Sequence, residues 1–254
     1  MITDYHRPTT LEEALTYLQR PNALPLGGGT LLSQPGTASV EVVDLQALGL
    51  NRLQRKGETL EIGATVTLQE LHDAPDTPEA LREAIALEAP LNLRNAATVA
   101  GALVACDGRS PFACALLALD AKIEQAILDH SKVEYRVSNI GEFLPLRSTK
   151  LITQITIPLN AKFAFEYVAR TPSDKPIVCA ALTQWNSGRT RLSLGGWGQS
   201  PTLAMDGVQA DDLQAAARNA CHEAADEFAS AEYRCEMAAV LAKRCLEALG
   251  SQPL

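Results

Sequence analysis

Apolar residues recur at helical spacing near both ends of the chain. Leu11, Ala14, Leu15 and Leu18 fall on one face of a helix that Thr10-Leu11-Glu12-Glu13 opens as a capping box and Pro21 closes. Tyr233, Met237, Val240, Leu241 and Ala248 make a second stripe on a helix over 230–249, preceded by another helical stretch over 211–228. Thr67-Leu68-Gln69-Glu70 is a further capping box. Thr77-Pro78-Glu79 caps a helix over 80–89 that ends at Pro90, and residues 112–119 are apolar and helical. Between these lie runs with the composition of strands: 40–45, 60–64, 120–126, 133–137 around the turn Asp129-His130-Ser131, and 151–157 ending at Pro158. Beyond residue 160 three consecutive strands, 163–168, 177–183 and 191–194, are joined by Thr171-Pro172-Ser173-Asp174 and Asn186-Ser187-Gly188. Strands followed by helices predict an α+β class with a division near Asn160.

Two small-residue bends interrupt this pattern. The first is Leu26-Gly27-Gly28-Gly29-Thr30-Leu31-Leu32; the second is Arg94-Asn95-Ala96-Ala97-Thr98-Val99-Ala100-Gly101-Ala102. Glycine lets backbone N–H groups approach an anion that a Cβ would hold away. Two such bends closing on one point would hold a pyrophosphate from both sides, with the Thr30 hydroxyl as an extra donor. The plainer reading of each is a tight connection. Asp107-Gly108-Arg109-Ser110-Pro111 follows the second bend. There Asp107 suits a ribose hydroxyl and Ser110 a phosphate, although the same residues also make a good surface turn.

Composition narrows the chemistry. The 254 residues are 46% hydrophobic, enough for a sizeable core, and carry a net charge of −8 without a Lys/Arg run, which argues against a nucleic-acid partner. The six cysteines form no CxxC pair, and the four histidines form no HExxH or paired spacing, so a bound metal or an iron–sulfur cluster on this chain is not expected. The first loop is neither GxGxxG nor a P-loop, and no Gly-x-Ser-x-Gly elbow occurs. The N-terminus has no apolar stretch of a signal peptide, and no run is long enough to span a bilayer, so a cytoplasmic location is expected.

Taken in order, Tyr5-His6-Arg7-Pro8, Leu26–Leu32, Val43-Asp44-Leu45, Leu60-Glu61-Ile62-Gly63-Ala64-Thr65-Val66-Thr67, Leu93–Gly101 and Ala115–Ala121 resemble the FAD-binding medium subunit of molybdenum hydroxylases. That family includes the flavoproteins of carbon monoxide dehydrogenase and xanthine dehydrogenase. Val168-Ala169-Arg170, Leu194-Gly195-Gly196, Pro201, Ser230–Arg234 and Lys243-Arg244 are similar to its C-terminal part. The resemblance implies a two-subdomain FAD-binding fold of the vanillyl-alcohol-oxidase (PCMH) type over 1–160, with subdomains of about 1–55 and 56–160. A C-terminal domain over 161–254, a three-stranded antiparallel sheet with a helical bundle, would follow. It also implies an oxidoreductase subunit that passes electrons from a partner's clusters to NAD, quinone or oxygen. The [2Fe-2S] clusters would sit on an iron–sulfur subunit and the molybdenum cofactor on a molybdopterin-binding large subunit of a heterotrimer.

On that resemblance FAD is held by Gly27, Gly28, Gly29, Thr30 and Leu31 on one side, by Thr98, Gly101, Ala102, Asp107 and Ser110 on the other, and by Lys175 near the ring, with no acid–base catalyst. The departures are specific. Gly27 replaces an alanine; Ala100 and Ala102 replace a glycine and a side-chain donor; Pro111 replaces an acid; Lys175 stands where an aromatic is common; and the segment before Leu151 is short. One lost hydrogen bond to a charged group costs about 1.5–3 kcal/mol, or about ten- to a hundredfold in affinity. The alternative is therefore a flavin-free structural subunit of such a complex.

Overall fold

The computed structural model describes residues 1–34, 39–130, 132–147, 150–172, 174–208 and 212–251. The expected turn residues Ser131 and Ser173, and Asp211 at the start of an expected helix, lie outside them. The chain opens with β1 (Ile2–His6), α1 (Leu11–Leu18), β2 (Ala23–Leu26) and β3 (Val40–Asp44), a parallel sheet in the order β1-β3-β2. Thr10 caps α1 by accepting from the Glu13 amide, and α1 buries Ala14 and Leu15. A 3-10 turn over Gln46–Leu48 leads to β4 (Leu53–Lys56) and β5 (Thr59–Gly63).

Five helices follow: α2 (Leu68–Asp73), α3 (Glu79–Glu88), α4 (Leu91–Arg94), α5 (Val99–Ala105) and α6 (Pro111–Ala118). Both halves of the expected Thr67–Glu70 capping box are present. The sheet is completed by β6 (Lys122–Asp129) and β7 (Lys132–Asn139), then α7 (Ile140–Leu146) and β8 (Leu151–Pro158), giving the antiparallel order β4-β5-β8-β6-β7. The last part holds β9 (Ala161–Val168), β10 (Val178–Trp185), β11 (Arg189–Gly195) and β12 (Thr202–Val208), an antiparallel sheet, then α8 (Leu213–Ala220) and α9 (Ala231–Ser251). The three expected C-terminal strands are there, and β12 is a fourth.

The helix expected over 211–228 ends at Ala220. The side chain of Asp226 accepts from the amides of Phe228 and Ala229, which folds 221–229 into turns instead. Residues Val99 to Ala102, expected as part of a bend, are the first turn of α5.

Every residue of α6 is buried, as expected of a helix that is apolar all round. It lies in the largest core cluster with Leu81 and Ile85 of α3, Ile155 and Ile157 of β8, and Cys179 and Ala181 of β10. The opposite face of β10 packs against Ala238, Leu241 and Cys245 of α9. The C-terminal sheet is thus sandwiched, with α6 pressing one face toward the helices that carry the second bend.

Candidate cofactor site

The first bend leaves the end of β2, where the Leu45 amide donates to the Leu26 carbonyl at 3.0 Å. Gly29 has φ +72°, a left-handed conformation that glycine adopts without penalty, and its carbonyl accepts from the Ser33 amide at 2.9 Å. Among the described residues none accepts from the amides of Gly28, Gly29, Thr30 or Leu31. Gly28 and Leu31 are exposed and Gly29 and Thr30 half-buried, so this run of amides on a glycine turn is open to an anion as well as to water.

The second bend is built differently. Pro90 starts α4, and Arg94 holds it by donating to the carbonyls of Ala86 and Ala89 and to Gln69 Oε1. The Ala97 carbonyl accepts from Leu68, and the Val99 amide donates to Val66. Thr98 caps α5: its hydroxyl accepts from the Gly101 amide at 3.2 Å and its carbonyl from Ala102 at 2.8 Å. The Ala100 amide donates to the Ala64 carbonyl at 3.3 Å. Thr98 itself is buried. The amides of Val99, Ala100, Gly101 and Ala102 are therefore taken up within the chain, and this bend offers an open surface at Gly101 and Ala102 without a free first-turn amide.

The two bends meet. A Cβ placed on Gly28 would fall inside the carbonyl group of Ala96, and one on Gly27 would lie 2.8 Å from Thr98 Oγ1. Gly27, Gly28, Thr98 and Gly101 thus share one junction. Thr30 and Leu31 extend from it, with Leu31 exposed.

Asp107, Ser110 and Lys175 gather at the other end of α5. Seven residues at 1.5 Å rise separate the two ends by about 10 Å. The Asp107 carboxylate accepts from the Arg109 amide at 2.9 Å and is exposed. Ser110 is wholly buried: its hydroxyl donates to Glu88 Oε2 at 2.6 Å and accepts from the Ala113 amide as the cap of α6. It is committed to that carboxylate and faces no open surface. Glu88 also accepts from the Phe112 amide at 3.2 Å and from Lys175 Nζ at 3.2 Å. Arg109 donates to the Lys175 carbonyl at 3.1 Å and stacks 4.0 Å from the centre of the Phe228 ring.

The Cys106 thiol lies beside this group. Burial pushes it up to about 11, opposed by Arg147 and Lys175 and assisted by Glu88 and Asp107, so it stays protonated at neutral pH. Glu88, Arg109 and Phe228 were not among the expected site residues. A lone acid at a helix end, one arginine in a turn and one phenylalanine in a loop carry no pattern in the sequence.

Gly108 fastens the cluster to the C-terminal sheet. Its amide donates to the Gly198 carbonyl at 2.9 Å, its carbonyl accepts from Gly196 at 2.7 Å, and a Cβ on it would fall inside the Trp197 carbonyl. Two cavities lie elsewhere. One of about 210 Å³ is lined by Leu50, Arg52, Glu124, Tyr135 and Gln154 on the polar face of the five-stranded sheet. Another of about 370 Å³ lies between α8 and α9. Neither is lined by the bends.

Several known proteins share this architecture. A chain of the reconstituted CO dehydrogenase from Oligotropha carboxidovorans superposes with a TM-score of 0.81 at 24% identity, covering 98% of each chain. Quinoline 2-oxidoreductase from Pseudomonas putida 86 gives 0.75 at 22% identity, over 97% of this chain and 96% of that one. The uncharacterized protein YgfM of Escherichia coli K12 is 28% identical over 219 residues, 84% of this chain and 82% of that protein. Residues 1–160 match the FAD binding domain in molybdopterin dehydrogenase. Since that match covers well over half of the chain and contains both bends, this protein belongs to the family of the molybdopterin dehydrogenase FAD-binding domain.

Proposed function

We propose that this chain binds FAD and is the electron-transferring flavoprotein subunit of a molybdopterin-dependent hydroxylase complex. The observation that carries the reading is the junction of the bends: Gly28 packs against the Ala96 carbonyl, Gly27 against Thr98, and among the described residues none accepts from the amides of Gly28 to Leu31. Bound FAD would supply the chemistry that joins single-electron iron–sulfur donors to an acceptor such as NAD, quinone or oxygen. The chain's own task is to bind and orient. The first-bend amides and the Thr30 hydroxyl hold the pyrophosphate. Gly101 and Ala102 let it lie close to α5. Asp107 takes a hydroxyl of the sugar or ribityl arm, and the Lys175 cluster stands about one α5 length away, the direction in which the ring would lie.

In this reading residues 1–160 carry the cofactor and 161–254 cover it through Gly108 and Lys175. An iron–sulfur subunit and a molybdopterin-binding large subunit would complete the complex. All six cysteines are free thiols, which supports a reducing, cytoplasmic setting.

A second reading is a flavin-free subunit that retains the fold to hold the complex together. It is favoured by the spent amides of α5 and by Ser110, whose hydroxyl already serves Glu88. Titrating the purified chain with FAD separates the two. Quenching of flavin fluorescence with saturable one-to-one binding supports the first reading. A protein that takes up no FAD yet co-purifies with the molybdopterin subunit supports the second.

A further inference from the structure

We infer that Glu88 is a positioning residue that sets the charge of the cofactor site: it holds Lys175 in an ion pair and cancels the field this lysine would otherwise place beside the flavin. The inference rests on the FAD reading above and names a residue that reading does not use.

Three donors from two segments, the start of α6 and the β9–β10 connection, converge on one carboxylate. They are the Ser110 hydroxyl at 2.6 Å, the Phe112 amide at 3.2 Å and Lys175 Nζ at 3.2 Å. The Glu88 side chain is 9% exposed and that of Lys175 is 37% exposed. The carboxylate is therefore sheltered and fixed by the first turn of α6, while the ammonium group reaches it from the β9–β10 connection, whose backbone Arg109 pins at Lys175 O. A sheltered charge with three good donors is stable only while its cationic partner stays, and removing either member leaves the other uncompensated. Asp107, Arg109, Arg147 and Cys106 are also ionisable groups of this neighbourhood; the Arg109 guanidinium is turned to the Lys175 carbonyl and the Phe228 ring, and Asp174, next to Lys175, pairs with Arg170 at 3.7 Å. The Cys106 thiol is neutral, and Arg147 is turned toward Ser200. Lys175 is thus the cation that Glu88 controls.

A two-electron reduction that leaves negative charge on the ring is favoured by a nearby positive charge and opposed by a negative one. Wild type presents a pair with no net charge. Glu88→Gln keeps acceptors for Ser110 and Phe112 but leaves the lysine unopposed. Lys175→Met leaves the carboxylate unopposed. The pair therefore makes opposite predictions for its two members, which a merely structural role would not do.

The test is the flavin midpoint potential of the full chain reconstituted with FAD, read spectrophotometrically against a reference dye at pH 8. Glu88→Gln is expected to shift the equilibrium about tenfold toward reduced flavin, about 30 mV upward for a two-electron couple. Lys175→Met is expected to shift it about tenfold the other way, and the double variant to return to the wild-type value. Circular dichroism melting confirms that each variant is folded. If Glu88→Gln does not fold, Lys175→Met carries the test alone, and an unchanged or raised potential overturns the inference. Flavin bound, with both single variants moving the same way or not at all, overturns the inference and leaves the FAD reading standing. A wild-type chain that takes up no FAD removes the reading and the inference with it.

Discussion

Gly28 and Ala96 touch backbone to backbone although 67 residues of chain separate them, and the contact leaves no room for even a methyl group on Gly28. The glycine thus lets the bends close on each other, and among the described residues none accepts from its amide.

Gly28→Ala should therefore cost about 1–3 kcal/mol, the usual penalty for forcing atoms into a packed site, because the obstacle is a carbonyl of the main chain. FAD affinity should fall at least about tenfold in the same variant. Gly207→Ala is the control, since its added methyl meets open space, and it should stay within about 0.5 kcal/mol of wild type. Denaturant melts of both variants, each followed by FAD titration, check this; equal behaviour of the two would contradict the role given to the junction.

Thr98 makes a separate prediction. Its hydroxyl caps α5 through the Gly101 amide. Thr98→Val removes the acceptor at nearly constant shape and should cost about 1 kcal/mol, whereas Thr98→Ser keeps the cap and should cost less. Because the Gly101 amide is already occupied by Thr98, the loss should appear in the melting curve before it appears in FAD binding. A Val variant as stable as wild type would show that the cap contributes nothing.

Legibility in the sequence followed the range of the interactions. The capping box at Thr67, the N-cap at Thr10, helix ends at Pro21 and Pro90 and the buried α6 are local signals, and each reads directly, although the Glu13 carboxylate accepts from the Thr9 amide and so leaves the box at Thr10 incomplete. Strand β1 was invisible because four of its five residues are exposed and its partner β3 is supplied from 34 residues downstream. Strand β12 buries none of its seven residues fully and carries no strict alternation, and it gains its place by pairing with β11. The glycines of the first bend were legible as a tight bend, but that the amides of the second bend are spent follows from Ala64 and Val66, just beyond β5, which no local pattern connects to Ala100 and Val99. Ser110 was legible as a polar residue in a turn; its commitment to Glu88 depends on a helix 22 residues away.

The C-terminal sheet is tied to the rest of the chain by an ion network with a definite acid dependence. Asp120, at φ +53° after α6, pairs with Arg189 at 2.9 Å and Arg191 at 3.4 Å, and Asp206 pairs with Arg189 at 2.8 Å. The hydrogen bond from Arg189, outweighing the opposing effect of burial, holds the Asp206 carboxyl below its ordinary 3.8. A carboxyl depressed on folding stabilises the native state above its unfolded value and loses that contribution as pH falls through the lower folded value. Asp206→Asn should lower the melting temperature at pH 6 to 7, and the gap to wild type should close as pH falls below about 3.8. A gap that is constant from pH 7 to pH 3 would mean that the carboxylate charge is irrelevant.

Arg234 makes the strongest stability prediction. It is wholly buried on α9 and donates to the carbonyls of Ile177, at 3.2 Å, of Gly196, at 3.3 Å, and of Ala224, as well as to Asp226 at 2.8 Å. Ile177 lies two residues beyond Lys175, the Gly196 amide in turn donates to Gly108, and Ala224 and Asp226 belong to the turns over 221–229. Arg234→Met keeps most of the volume but strands three carbonyls and a carboxylate, and breaking a buried pair from one side costs about 3–5 kcal/mol. For a chain of this size that lowers the melting temperature by about 6–20 °C. Arg234→Lys restores one charge but not the planar fork of donors, so it should recover only part of the loss. Hydrogen exchange adds a positional check: in the Met variant the amides of Gly108 and Gly196 should lose protection together, ahead of those in β6 and β8. Loss confined to α9 would mean that the arginine stabilises its own helix and does not hold the Gly108–Gly196 junction.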